Sequence, residues 1–204
     1  MTGWSRALLV VVALVVVATA AGCSPSTRAS FTPDFPKPPS YDQLVATAAL
    51  DPCPASTAAH PHKSLPDLTL PCLGRGPAVH LSGLSGAPTV VNIWGSWCGP
   101  CQAETRYLSS VYDAAKSKVR FLGVDTEDDP KSALDFAPHV SPPMHYPQVV
   151  DKDKKLLIAL NQPSAVPTTV FVEASGRIAH ITHTPYRDAA TLRADIRRYL
   201  GVTV

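Results

Sequence analysis

The sequence predicts an α/β domain, a mixed central sheet with helices on both faces, behind a proline-rich N-terminal extension. Three observations lead to it. Thr89–Trp94 and Val119–Val124 are nearly continuous apolar runs, the pattern of strands buried on both faces. A helical segment, Gln102 to about Lys116, lies between them, as a crossover between parallel strands requires. A hairpin pattern around Ser175-Gly176 and a closing amphipathic segment follow.

Taken in order, the chain opens on an export-signal pattern. Arg6 is the only charged side chain before Arg28, and Ala7–Ala21 is an unbroken small and apolar run. Its 15 residues would span about 23 Å as a helix, short of the ~30 Å hydrocarbon core, which favours a cleaved signal over a stable membrane span. Ser24–Ser40 carries Pro25, Pro33, Pro36, Pro38 and Pro39 and reads as an extended tether. Tyr41–Leu50 is expected to be a short helix capped by Ser40 and stopped by Asp51-Pro52-Cys53-Pro54, with loop onward to about Lys63.

Leu68–Leu70 and Ala78–Leu81 alternate as two short strands, and Ser82–Pro88 is a glycine-rich turn before the first buried strand. The second buried strand is expected to end at Asp125–Pro130. A helix over Lys131–Ala137, a proline loop, a brief strand at Gln148–Val150 and a helix over Lys154–Leu160 come next. Thr168–Val172 and Arg177–Thr182 form the hairpin. Asp188–Leu200 closes the chain as a helix with Leu192, Ile196 and Leu200 on one stripe. The expected boundaries are residues 1–22 for the signal peptide, 23–64 for the tether and loop-rich extension, and 65–204 for the domain.

The chain's 204 residues suffice for one domain with a real core plus an extension. A 45% apolar content is a globular value, and a net charge of +2 gives no reason to invoke nucleic acid. Of 21 prolines, 11 fall between Pro25 and Pro77, which separates a loop-rich N-terminal part from a regular C-terminal one.

The chemistry is concentrated in Trp97-Cys98-Gly99-Pro100-Cys101. Two cysteines at a strand-to-helix junction suit thiol–disulfide exchange. The first sulfur stands where unpaired N–H groups and the helix dipole favour a thiolate, and the second is one turn away, able to resolve a mixed disulfide. Gly99 and Pro100 permit the tight turn, since proline in a first helical turn forfeits only an N–H that would be unpaired anyway. A structural zinc site needs four ligands, and no second Cys-x-x-Cys exists. No metal or cofactor is expected. Glu104 lies three residues past Cys101 on the same helical face, placed to tune the cysteine or relay a proton, or simply solvated. Trp97 is expected on an exposed apolar rim and Trp94 in the core.

Val91-Asn92-Ile93-Trp94-Gly95-Ser96-Trp97-Cys98-Gly99-Pro100-Cys101, joined to the downstream Val166-Pro167-Thr168-Thr169, resembles the exported, membrane-tethered TlpA/ResA-like branch of the thioredoxin superfamily. The likeness covers about Leu65 to Leu200 and implies a thioredoxin-like fold. It implies a cis-proline at Pro167 facing the cysteines, with Val166 offering main-chain groups to an extended substrate. Asn92 and Glu104 stand where this branch often carries Asn and Glu. Arg106 stands where a helix-kinking proline is common. The resemblance implies an envelope thiol–disulfide oxidoreductase on Cys98 and Cys101, acting on disulfide-containing envelope proteins, with Trp97, Gly99, Pro100, Val166 and Pro167 contacting substrate. The family includes reducers of apocytochrome c fed by a membrane donor of the CcdA/DsbD type. Gly-Pro between the cysteines is the dipeptide of reducing thioredoxins. An envelope oxidant and a copper-binding chaperone remain as alternatives.

Ala20-Ala21-Gly22-Cys23 resembles a bacterial lipobox, which implies lipidation of Cys23 and anchorage on the outer face of the cytoplasmic membrane. Cys53 and Cys72 then remain as a pair. A disulfide between them would close a loop of about 20 residues, worth ~3 kcal/mol by chain-entropy arithmetic, and pin the extension to the domain. A second redox pair in relay with Cys98 and Cys101 is the alternative. The seven histidines are scattered, and surface or packing roles are expected of them.

Overall fold

The computed structural model describes residues 37–56, 63–115, 117–162, 164 and 166–204. The expected signal peptide, Cys23 and most of the tether lie outside the described residues, as do His60 and His62. Residues Pro38–Val204 form one compact unit, so packed structure begins well upstream of Leu65.

That unit opens with helix α1 (Tyr41–Ala48), set by a capping box in which Ser40 Oγ accepts from Gln43 N–H and the Gln43 side chain accepts from Ser40 N–H. The helix buries Leu44 and Ala48 and packs on α3 (Pro130–Phe136). Strands β1 (Thr69–Leu70) and β2 (Val79–His80) pair as a small antiparallel sheet.

The main sheet holds five strands: β3 (Thr89–Trp94), β4 (Arg120–Thr126), β5 (Gln148–Asp151), β6 (Thr168–Val172) and β7 (Ile178–Thr182), in the order β5-β4-β3-β6-β7. β3, β4 and β5 run parallel, while β6 and β7 are antiparallel additions. This is the thioredoxin-like architecture, with β3 at the centre. One face carries Val90, Trp94, Phe121 and Phe171 and is covered by α1, α2 (Gly99–Ala115), α3 and α5 (Ala189–Leu200). The other carries Val91, Ile93, Leu122, Val124 and Val170 and packs on the β1–β2 pair and α4 (Lys155–Ala159).

Most elements differ from expectation by one or two residues at an end, and two of these shifts bear on the site. β4 runs on through Asp125 and Thr126, both buried, where the acidic run was expected to end it. Helix α2 begins at Gly99 and not at Gln102, so the cysteine pair is part of its first turn, and it continues without interruption through Arg106.

The edge of the sheet at β5 is covered by the segment Pro71–Leu73. Val150 N–H donates to Pro71 O at 2.9 Å and Leu73 N–H to Gln148 O at 2.8 Å. A disulfide between Cys53 and Cys72, 19 residues apart, fastens the start of the domain to that cover. Pairing an exposed edge in this way removes a template for strand addition.

Candidate active site

β3 delivers the chain to the centre of the sheet's C-terminal edge, and the turn Gly95–Trp97 passes it to α2. That turn is held from β4's exit. Ser96 N–H donates to Asp128 Oδ2 at 2.5 Å, and Trp97 Nε1 to Thr126 O at 3.3 Å. Gly95 allows this approach, because a Cβ there would stand 3.1 Å from Thr126 O and closer still to the Trp97 ring. Trp97 is 53% exposed while Trp94 is buried.

Cys98 and Cys101 form a disulfide with Cα atoms 5.2 Å apart. Cys98 is 5% exposed and Cys101 fully buried, so what little of the pair meets solvent belongs to Cys98. Cys98 closes the first turn of α2, its carbonyl accepting from Gln102 N–H at 3.0 Å. Cys101 N–H points at Cys98 Sγ, 3.2 Å away. A thiolate on Cys98 would therefore meet a hydrogen-bond donor and the positive end of a 17-residue helix. The Val166–Pro167 peptide is cis and Pro167 is buried.

Glu104 is 1% exposed, one turn beyond Cys101. Its Oε1 accepts from Asn92 Nδ2 at 2.9 Å and its Oε2 from Tyr186 N–H at 3.0 Å. Both bonds favour the ionised carboxylate. Burial opposes them and wins, pushing the pKa up to about 7. A carboxyl that is half protonated near neutrality can give or take a proton where thiols must do the same. The solvated alternative for Glu104 does not describe this side chain.

Two residues of this neighbourhood, Tyr186 and Gln148, carry no sequence signal, and a third, Asp125, carries one that points elsewhere. Tyr186 lies 82 residues from Glu104 in the chain, and only folding brings its amide there. Gln148 reaches across Gly123 to accept from Trp94 Nε1 at 2.9 Å, and a Cβ at Gly123 would overlap its side-chain amide. Asp125, opposite Trp94 in the β3–β4 register, is buried, with no hydrogen-bond partner for either carboxylate oxygen among the described residues. Burial first, then the nearby carboxylates of Asp128 and Asp129, push it up to about 8. Its signal was present as an acid inside an otherwise apolar strand, misread as the strand's end.

Cys53 and Cys72 occupy a different setting, along β5. Cys53 Sγ lies 3.2 Å from Gln148 O and Cys72 Sγ 3.1 Å from Arg75 O. Among the described residues no three His, Cys, Asp or Glu side chains converge as a metal site.

The Redoxin family profile matches residues 60–196. The chain belongs to the Redoxin family. Thiol-disulfide oxidoreductase ResA of Geobacillus kaustophilus is 29% identical over 145 residues, covering 71% of this chain and 78% of that protein. Thiol:disulfide interchange protein DsbE of Haemophilus influenzae is 34% identical over 94 residues, 46% of this chain and about half (49%) of that protein. Among solved structures, a DsbF homologue from Corynebacterium diphtheriae aligns with a TM-score of 0.57 at 25% identity, over 66% of this chain and 85% of that one. With its dithiol at a helix mouth, this redoxin is a thiol–disulfide oxidoreductase of the ResA/DsbE type.

Proposed function

We propose that the protein works as a reductase of protein disulfides in the cell envelope, anchored to the outer face of the cytoplasmic membrane by lipid on Cys23. Electrons would come from a membrane donor of the CcdA/DsbD type, and apocytochrome c cysteines are one substrate class. The observation that carries the reading is the asymmetry of the pair, with Cys98 the less buried of the two and facing an N–H donor, and Cys101 fully buried one turn before a buried Glu104 whose pKa is pushed up to about 7. The Gly99-Pro100 dipeptide supports the reducing direction. The apolar run Ala7–Ala21 followed by Gly22-Cys23 supports the anchor.

The chemistry balances over two thiol–disulfide exchanges. The Cys98 thiolate attacks one sulfur of the substrate disulfide, and the other substrate sulfur leaves as a thiolate and takes a proton. Cys101 loses its proton, with Glu104 as the acceptor in its ionised form, and attacks Cys98 Sγ. The second substrate thiolate leaves. Two electrons have passed to the substrate, and the enzyme holds the Cys98–Cys101 disulfide until a donor reduces it.

Trapping with Cys101→Ser tests the substrate, and equilibration with glutathione tests the direction. A potential near the thioredoxin value of about −270 mV is expected, and one near the DsbA value of about −120 mV would overturn the reductase. Labelling with a palmitate analogue tests the anchor, with loss of label expected in Cys23→Ala.

A further inference from the structure

A groove of about 500 Å³ runs beside α2, between its first two turns and the chain after α3. Gly99, Gln102, Ala103 and Arg106 form the α2 wall, a stripe at helical spacing that starts next to Cys98. Phe136, His139 and Val140 form the opposite wall. Phe136 stands 5.5 Å from the Trp94 ring, so the apolar floor is braced by the sheet. The volume falls in the range of sites that hold organic ligands.

Arg106 sets the charge of this groove. Its guanidinium lies 4.7 Å over the Tyr107 ring and donates to Tyr107 OH at 2.7 Å, and among the described residues no carboxylate pairs with it. No acidic residue lines the groove. Asp135 lines an adjoining hollow with Ser96, and its backbone carbonyl engages His139 Nδ1 at 2.6 Å. This solvent-exposed, positive wall begins at Gly99, the residue after Cys98.

We propose that the groove holds the substrate polypeptide beside its reacting cysteine and selects a carboxylate side chain opposite Arg106, with an apolar neighbour on Phe136 and Val140. The spacing fixes the register. Eight residues of helix from Cys98 to Arg106 rise about 12 Å, the reach of three to four extended residues of substrate. The selected acid therefore lies about three residues from the substrate cysteine. Substrate continuity with Cys98 names the occupant, and the proposal rests on the oxidoreductase reading.

The test uses symmetric disulfide dimers of short peptides with a central cysteine. They carry Glu or Lys three residues away, on either side in separate peptides, next to Leu. Reduced protein in stoichiometric excess, as wild type and as Arg106→Glu, is assayed for the second-order rate constant of a single turnover on each. Hydroxyethyl disulfide, which has no flanking residues, normalises each variant for the state of its dithiol. Wild type is expected to prefer the Glu peptide at least about tenfold on one side, with the preference shrinking in salt. Arg106→Glu is expected to invert it. An equal Glu/Lys ratio in the two proteins would overturn the proposal, as would equal rates on both peptides in wild type. If wild type reduces hydroxyethyl disulfide and no peptide, the groove assignment fails while the dithiol chemistry stands. Inactivity on every disulfide would sink the oxidoreductase reading itself.

Discussion

The two disulfides of this protein present opposite surroundings to their sulfurs. Cys98 Sγ faces a main-chain N–H at the mouth of α2, with Trp97, Gly99 and Pro100 exposed around it. Cys53 Sγ and Cys72 Sγ face the carbonyl oxygens of Gln148 and Arg75. An N–H donor stabilises a thiolate, while a carbonyl can only accept from a protonated thiol and raises its pKa. These surroundings favour the first pair leaving and returning as thiolates, and we propose that the second stays bonded as a clip along the sheet edge. What separates a reactive disulfide from a fixed one is which end of the peptide group its sulfur meets.

Breaking the first pair is expected to have the largest effect. Cys98→Ser abolishes disulfide reduction, while Cys53→Ser with Cys72→Ser leaves turnover in place, both read by an insulin-type reduction assay. Equal losses in the two would erase the contrast. Thiol reactivity sharpens it next. In the fully reduced protein at pH 6, iodoacetamide is expected to label Cys98 about 10²-fold faster than Cys53 or Cys72, read by mass spectrometry of the peptides.

Glu104 belongs to the reactive region only. Its folded pKa of about 7 lies above the ordinary 4.5, so the native state holds a proton that the unfolded chain has released. The stability contribution is therefore fully present below about pH 4.5 and lost as pH rises to about 7, a fall on the order of 3 kcal/mol. Asp125, raised to about 8, has the same sign over a wider window. Glu104→Gln is expected to flatten part of that fall in urea titrations across pH, and to remove the inflection near pH 7 from the rate at which Cys101 resolves a mixed disulfide. A retained inflection would take Glu104 out of the proton path.

The fixed region answers in stability. Removing the Cys53–Cys72 bond is expected to cost about 3 kcal/mol by loop entropy, seen as a lower urea midpoint. Gln148→Leu, which strips the buried Trp94 N–H of its acceptor, is expected to cost about 2 kcal/mol, with a change in tryptophan fluorescence.

The sequence made the scaffold legible where one physical rule acted alone. β3 matches its apolar run residue for residue, because a strand buried on both faces needs nothing else. The start of α2 was missed by three residues because Gly99-Pro100 reads as a turn, although proline is at home in a first helical turn. The end of β4 was missed because Asp125 looks like a surface acid and is buried. At the site, the cysteines and Glu104 were readable from spacing within one helix. The partners of Glu104 were not, since Asn92 and Tyr186 arrive from elements 12 and 82 residues away. The groove was invisible for the same reason, its two walls coming from α2 and the turn after α3.

The crossing of Gln148 over Gly123 ties the fates of these two positions. In a saturation library, every side chain at 123 larger than hydrogen should be rejected while glutamine remains at 148, and a subset should be rescued once 148 is shortened. Anyone grafting a new specificity onto this scaffold has to change position 148 before position 123, because glycine at 123 is required only while the Gln148 side chain lies over it.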